Sequence, residues 1–359
     1  MPPLPTPRYH QVDGLGLRYV RLPQALDATV DLEENAPLSV FLDHVAFVND
    51  VCRTADDAVA AAVAHEVRVR FCADVVRPHL CDPAEQVMHA ATVYVTAVLE
   101  RMDAPPLVDA VVAFLLGDNM EPETRGGAVT SGSGEGDLRT TLIRRMDSIS
   151  EEVAVATTKL FEALLGLYSA PALYNLVLRN LVPVGTRLAE AAAGAGGDGA
   201  TPRVNSAVED FLTLTINPGG DGAAQVRSGY ETYLHDAHDR TSACSRACES
   251  WPALVPTASD GDGAGTDATE HEFYEGLFLE VVFNKLERFL EHGLNANLVL
   301  TGVVSRLLDF PHPLLSLYLL SADDRLGART LYRILREVGV FIFLVLVVFA
   351  GEGVAILHF

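Results

Sequence analysis

His235-Asp236-Ala237-His238 sets two imidazoles three residues apart, a spacing that can place both on one metal ion. Cys244 and Cys248 follow four apart. Together they suggest a Cys2His2 zinc site. Helix geometry opposes it, because one continuous helix from His235 to Cys248 separates its ends by about 20 Å. The same stretch carries Tyr230, Leu234, Ala237, Thr241, Cys244, Cys248 and Trp251 in a 4-3-4-3-4-3 rhythm. That rhythm is a buried stripe, so the two cysteines are expected to fill a helix–helix seam and no metal site is expected.

Other chemical patterns break off. Asp260-Gly261-Asp262-Gly263-Ala264-Gly265 begins like a calcium loop, but Ala264 holds its fifth position and His271 its twelfth, where a bidentate Glu is needed. His65-Glu66 opens an HExxH pattern that Val69 leaves unfinished. The serines of SGSGEG and SISEE lack a GxSxG context. There is no Walker loop and no GxGxxG. No catalytic, cofactor-binding or metal-binding residue is therefore assigned, and a metalloenzyme built on His235 and His238 is the weakest functional alternative.

The elements that would position any such residue read as helices. Phe41, Val45, Val48 and Cys52 share one face. Asp82-Pro83-Ala84-Glu85 and Ser148-Ile149-Ser150-Glu151 are capping boxes. Behind them run the stripes Val87, Ala91, Tyr94, Val98, Met102 and Val153, Ala156, Leu160, Leu164, Leu167. Pro171 opens a helix that stops before Pro183. Phe278, Val282, Leu286 and Phe289 form a stripe, and Gly293 suits a left-handed cap.

Next comes NANLVLTGVVSRLLDFPHPLLSLYLL, from Asn295 to Leu320. Asn297, Thr301, Ser305 and Asp309 make a narrow polar ridge on a helix otherwise expected to be buried on most sides. Gly302 implies a close neighbouring helix. Pro311 ends the helix and Pro313 starts a short one.

No strand–helix alternation and no fixed-length repeat appears. The fold class expected is all-α, an irregular α-solenoid of packed helix pairs with disordered linkers. Residues 1–35 read as an irregular N-terminal segment, and 36–183 as the first helical part. Residues 184–269 read as helices, one of them Val204 to Leu214, with low-complexity linkers. Residues 270–337 form the C-terminal helical block and 338–359 an apolar tail. Flexible loops are expected near 119–137, 187–203 and 252–269.

Composition narrows the function. Net charge is −22, which excludes the basic footprint of a nucleic-acid binder and disfavours anionic lipid heads. Five cysteines and a start without an apolar run point to reduced thiols in the cytosol. The tail from Val338 to Gly351 is uncharged for fourteen residues before Glu352. A membrane-anchored helical protein using that tail is the alternative function.

Three segments carry a resemblance: Thr141 to Pro183, Tyr230 to Trp251, and Phe278 to Leu320 with its Leu300-Thr301-Gly302 and Pro311-His312-Pro313-Leu314-Leu315. With PLSVFLDHVAFVNDVC they resemble the FHIP family, the Hook-interacting proteins of the FTS–Hook–FHIP complex, from about Pro37 to about Glu337. The family's N-terminal helical portion has no counterpart here, and the tail after Glu337 is unlike the family.

The resemblance implies a helical, non-enzymatic adaptor without cofactors. Its implied partners are Hook coiled-coil proteins, the ubiquitin-conjugating-like protein FTS and an early-endosomal Rab GTPase. Nucleic acid and small-molecule substrates are not among them. It implies dynein-linked transport and a cytoplasmic location, peripheral on early endosomes. Lys285 and Arg288, read as exposed on the side away from the Phe278–Phe289 stripe, are the residues expected to touch a partner.

Overall fold

A computed structural model describes residues 36–125, 138–185, 223–249, 251, 273–320 and 329–339. The expected helix Val204 to Leu214, the segment 1–35, the linkers 187–203 and 252–269, and the tail from residue 340 lie outside these. Among the described residues every regular element is a helix, as the apolar stripes required. The chain divides into two compact units, Met1–Leu115 and Leu116–Phe359.

The first unit holds α1 (Ala36–Thr54), α2 (Asp57–Glu66), a π-helical stretch (Val67–Val76), α3 (Arg77–Leu80), α4 (Glu85–Leu99) and most of α5 (Pro105–Leu116). The run from α2 to α3 is continuous although it contains Pro78. A proline in a helix lacks its N–H and crowds the carbonyl four residues back. The π-helical winding just before Pro78 sets the backbone on an i to i+5 pattern that relieves this crowding. Buried Asn49 on α1 clamps the entry to α5: its amide oxygen accepts from Asp103 N at 3.0 Å and Ala104 N at 2.9 Å. Its Nδ2 donates to Asp103 Oδ1 at 2.7 Å.

Both capping boxes start their helices two residues later than their sequence implies. Asp82 accepts from Ala84 N at 2.7 Å and Ser148 from Ser150 N at 3.3 Å. These are bonds to the N–H two residues on, local turns that precede the helices at Glu85 and Glu151.

The second unit contains α6 (Leu138–Arg145), α7 (Glu151–Gly166) and α8 (Ala170–Leu173), which continues through a π-helical stretch (Tyr174–Leu178) into α9 (Arg179–Leu181). The helix does not stop before Pro183; it tightens into a 3-10 turn over Val182–Val184. Then follow α10 (Ala223–Cys248), α11 (Leu277–Glu287), α12 (Leu294–Asp309), α13 (Pro313–Leu319) and α14 (residues 331–339).

Its core centres on α7, where Leu160, Phe161, Leu164 and Leu165 are inaccessible to water. Phe161 meets Phe278 of α11 at 5.2 Å between ring centres. α7 and α12 run side by side and parallel. A Cβ on Gly293 would lie 2.5 Å from Glu151 Oε1, one on Gly302 2.7 Å from the Glu162 carboxyl, and one on Gly166 3.6 Å from the Arg306 guanidinium. The three pairs keep nearly constant register along both helices. Gly293 does not adopt a left-handed cap: its φ is −65° and it stands at the N-cap of α12. Its missing side chain makes room for Glu151.

Candidate functional site

Sequence pointed to Lys285 and Arg288, in the block from Glu270 to Leu320, as a partner surface, and residues 273–320 of that block are described. On α11, Phe278, Val282 and Leu286 are buried, and Phe289 is half-buried beyond the helix end. Lys285 is buried with them, at 4% exposure. Its expected exposure is therefore overturned. The physical reason is periodicity: Lys285 stands seven residues after Phe278 and three after Val282, on the apolar face itself. Desolvation pulls its pKa below the ordinary lysine value, while Asp147 and Glu151 oppose the fall. Arg288 is exposed as expected, and its Nη2 donates to Asp147 Oδ1 at 2.7 Å.

The approach to α11 is fixed by a buried charge cluster that sequence reasoning missed. Glu123 pairs with Arg139 of α6 and lies 3.4 Å from Arg179 of α9. Its second oxygen accepts from Leu277 N at 2.7 Å, the first N–H of α11. Burial works to raise its pKa, yet Arg139, the Leu277 N–H and Arg179 together hold it below the usual glutamate value. Asn180 accepts from Glu123 N at 2.7 Å. Gly276 has φ +91°, and any Cβ there would collide with the Asn180 amide. Residues 119–125, read as part of a flexible loop, are held in place by these bonds. No spacing in NMEPETR announces this, because the partners of Glu123 lie far away in sequence.

A second clasp spans α11, from the residue two before its start to its last turn. Arg329 donates to Glu287 Oε1 at 2.9 Å and Asn284 Oδ1 at 2.9 Å. It also pairs with buried Glu275 at 3.5 Å.

On α12 the polar ridge divides. Asn297 caps the preceding turn by donating to Phe289 O at 2.8 Å, and Thr301 is exposed. Ser305 and Asp309 are docking points for α10. Arg240 donates to Ser305 Oγ at 2.9 Å, and Thr241 to Asp309 Oδ1 at 3.2 Å. Tyr168, whose φ of +49° is unusual for a non-glycine, takes a bond from Arg306 at 3.0 Å and donates to Arg240 O at 3.4 Å. Trp251 then packs on Phe310 at 5.8 Å. The ridge is thus not the helix's only wet face: Leu294, Leu298 and Leu308 are exposed at 74%, 59% and 44%.

Cys244 is fully buried in the α10 seam and Cys248 half-buried, with 3.8 Å between sulfurs. Burial raises both thiol pKa values, which keeps them protonated and unreactive. His235 and His238 are exposed, and His235 pairs with Asp239 at 3.6 Å. Among the described residues no three metal-ligating side chains converge, and no helix is long and apolar enough to cross a membrane.

Comparison with known proteins supplies the relationship. Residues 16–181 match the family described as Retinoic acid induced 16-like protein, and residues 275–341 a family of unknown function, DUF5917. A Culex quinquefasciatus FHIP family protein is 23% identical over 67% of this chain and 27% of its own length. The Rattus norvegicus FHF complex subunit HOOK-interacting protein 1B is 24% identical over 80% of this chain. The chain is similar to FHIP family proteins over most of its length. It spans 39% of that rat FHIP relative's length. The Homo sapiens FHF complex subunit HOOK-interacting protein 1A is 38% identical over a stretch of 72 residues, or 20% of the chain.

Proposed function

We propose that this chain is a non-enzymatic adaptor that binds Hook coiled-coil proteins within an assembly containing FTS. The observation that carries the reading is the kinship with FHF complex subunits named as HOOK-interacting proteins, which extends over 80% of the chain in the rat case. The further reading follows the family: attachment to early endosomes through a Rab GTPase, cytoplasmic location and dynein-linked transport. An acidic chain of net charge −22 suits a protein that meets basic or apolar protein surfaces.

Of the two residues proposed for contact, Arg288 remains available at the surface, whereas Lys285 acts from beneath it by fixing the α11 face. The test is co-purification of the full chain with Hook and FTS, followed by Arg288→Glu. Capture of both partners by the unmodified chain, weakened by Arg288→Glu with no more than the small loss of thermal stability expected from an exposed ion pair, supports the reading. A folded chain that captures neither overturns it. Addition of a GTP-loaded early-endosomal Rab to the same experiment tests the membrane link separately.

A further inference from the structure

Five large apolar side chains stand exposed among the described residues of the second unit, and four of them lie at the same end of the α7–α12 pair. Leu290 is 53% exposed in the 3-10 turn Phe289–Glu291 that precedes α12, and Leu294 and Leu298, 74% and 59% exposed, stand one turn apart at the start of α12. Ile149, in the turn before α7, is fully exposed. The chain brings it to the same end of the α7–α12 pair. Arg288 bonds Asp147 on one side of it, and Gly293 abuts Glu151 on the other. Ile149 thus lies two residues from both anchor points, and Leu290 lies between their partners.

The outward face of α12 continues in a 4-3-4-3 rhythm through Leu294, Leu298, Thr301, Ser305 and Leu308. This is the period of a helix–helix seam. α10 already covers that face near Ser305 and Asp309. Nothing among the described contacts covers Leu294 and Leu298, a solvent exposure that costs free energy unless a partner offsets it.

The surroundings decide what kind of partner fits. Asp147, Glu151, Glu152 and Glu291 are exposed around the patch. Against them stand Arg144 and Arg288, and Arg288 is already paired with Asp147. Lys285 is buried behind the rim. A second copy of this chain would bring two acidic rims together, and an anionic membrane would be repelled. We propose that Ile149, Leu290, Leu294 and Leu298 form a docking face for an amphipathic partner helix, whose apolar stripe is flanked by lysine or arginine. The seam rhythm supplies the register and the acidic rim supplies selection against other helices.

The proposal does not depend on Hook being that partner, and the test keeps the two apart. The probe is a labelled synthetic amphipathic helical peptide with leucines in 4-3 spacing and lysine flanks, titrated with the full chain by fluorescence anisotropy. A peptide with glutamate flanks is the control. The lysine peptide is expected to bind at least about tenfold more tightly than the glutamate peptide. Leu294→Ser combined with Leu298→Ser should weaken its binding about tenfold with no change in thermal midpoint, since both side chains are exposed. Phe47→Ser, at an exposed residue of the first unit, should leave binding unchanged.

Equal binding of the two peptides overturns the charge argument, and undiminished binding by the double variant overturns the face. A dimer seen by light scattering that the double variant dissociates makes a second copy the occupant and overturns the proposal. Retention of Hook capture alongside a failed peptide test leaves the adaptor reading standing. Peptide binding that depends on Leu294 and Leu298, in a chain that captures no Hook, leaves the docking face standing.

Discussion

Lys285 keeps an ammonium group where water barely reaches, and its neighbours explain how. Asp147 and Glu151 lie close enough to favour its charged form, against the desolvation that pulls its pKa down. A buried cation with nearby carboxylates tolerates loss of its charge better than reversal of it. Lys285→Glu would set a third carboxylate beside Asp147 and Glu151, and is expected to cost about 3 kcal/mol or more. Lys285→Met keeps the stem and the shape and should be nearly neutral. Urea unfolding of both variants checks this; a Lys285→Glu protein as stable as the parent would show that the site opens to water. The place of Lys285 was legible from spacing, because Phe278, Val282, Lys285 and Phe289 follow a 4-3-4 pattern. Its residue type suggested the surface and the helical period did not. Glu123 was not legible at all. Its role arises from Arg139, Arg179 and Leu277, and only the fold makes them neighbours.

Helices were legible where apolar stripes repeat, and least legible at their ends. The stripes on α7 and α11 face cores, while those on α1 and α4 mix buried Val45, Cys52, Ala91 and Val98 with half-buried Phe41, Val48, Val87 and Tyr94. The capping residues Asp82 and Ser148 bond their backbones as their chemistry requires, but a turn and a helix cap use similar bonds, so the true starts fall two residues on. The open side of α12 was hidden for a related reason. An apolar residue facing solvent and one facing a core look alike in sequence, and only the neighbours distinguish them.

Gly302 was legible as a close approach, and the approaching group is the Glu162 carboxyl of α7. A carboxyl at the end of a flexible side chain can retreat from a methyl group more easily than from an isobutyl group. Gly302→Ala is therefore expected to be tolerated, while Gly302→Leu forces α7 and α12 apart and costs about 1–3 kcal/mol. Thermal unfolding of the two variants measures the difference; equal midpoints would mean that the two helices are free to separate there.

At the scale of the molecule, charge and burial combine into a dependence on pH. His292 and His312 both have pKa values below 6.5, burial being the first cause in each, with Lys285 and Arg288 adding to it at His292. Their folded states favour the neutral ring. Their contribution is fully present above pH 6.5, where both rings are neutral in the folded and in the unfolded chain. It declines as pH falls below 6.5, because the unfolded chain takes up protons first, and it is gone below the folded pKa. Glu123 has the same sign in a lower window: its pKa lies below 4.5, so its contribution is present above 4.5 and lost as pH falls through the folded value. Acidification also removes charge from a chain of net −22, and this relief of self-repulsion acts the other way. Variants separate the effects. Trp251 is the chain's one tryptophan and packs on Phe310, so its fluorescence follows the second unit alone. Urea unfolding read from Trp251 should show stability falling as pH drops below 6.5. The slope should be shallower in a chain carrying His292→Gln and His312→Gln. Glu123→Gln should lower stability at neutral pH, because a neutral amide leaves Arg139 and Arg179 without their carboxylate, and should flatten the slope only below pH 4.5. A histidine double variant with the parent's slope between pH 6.5 and 4.5 would show that the two half-buried rings do not govern the acid response, and that the carboxylates of the surface do.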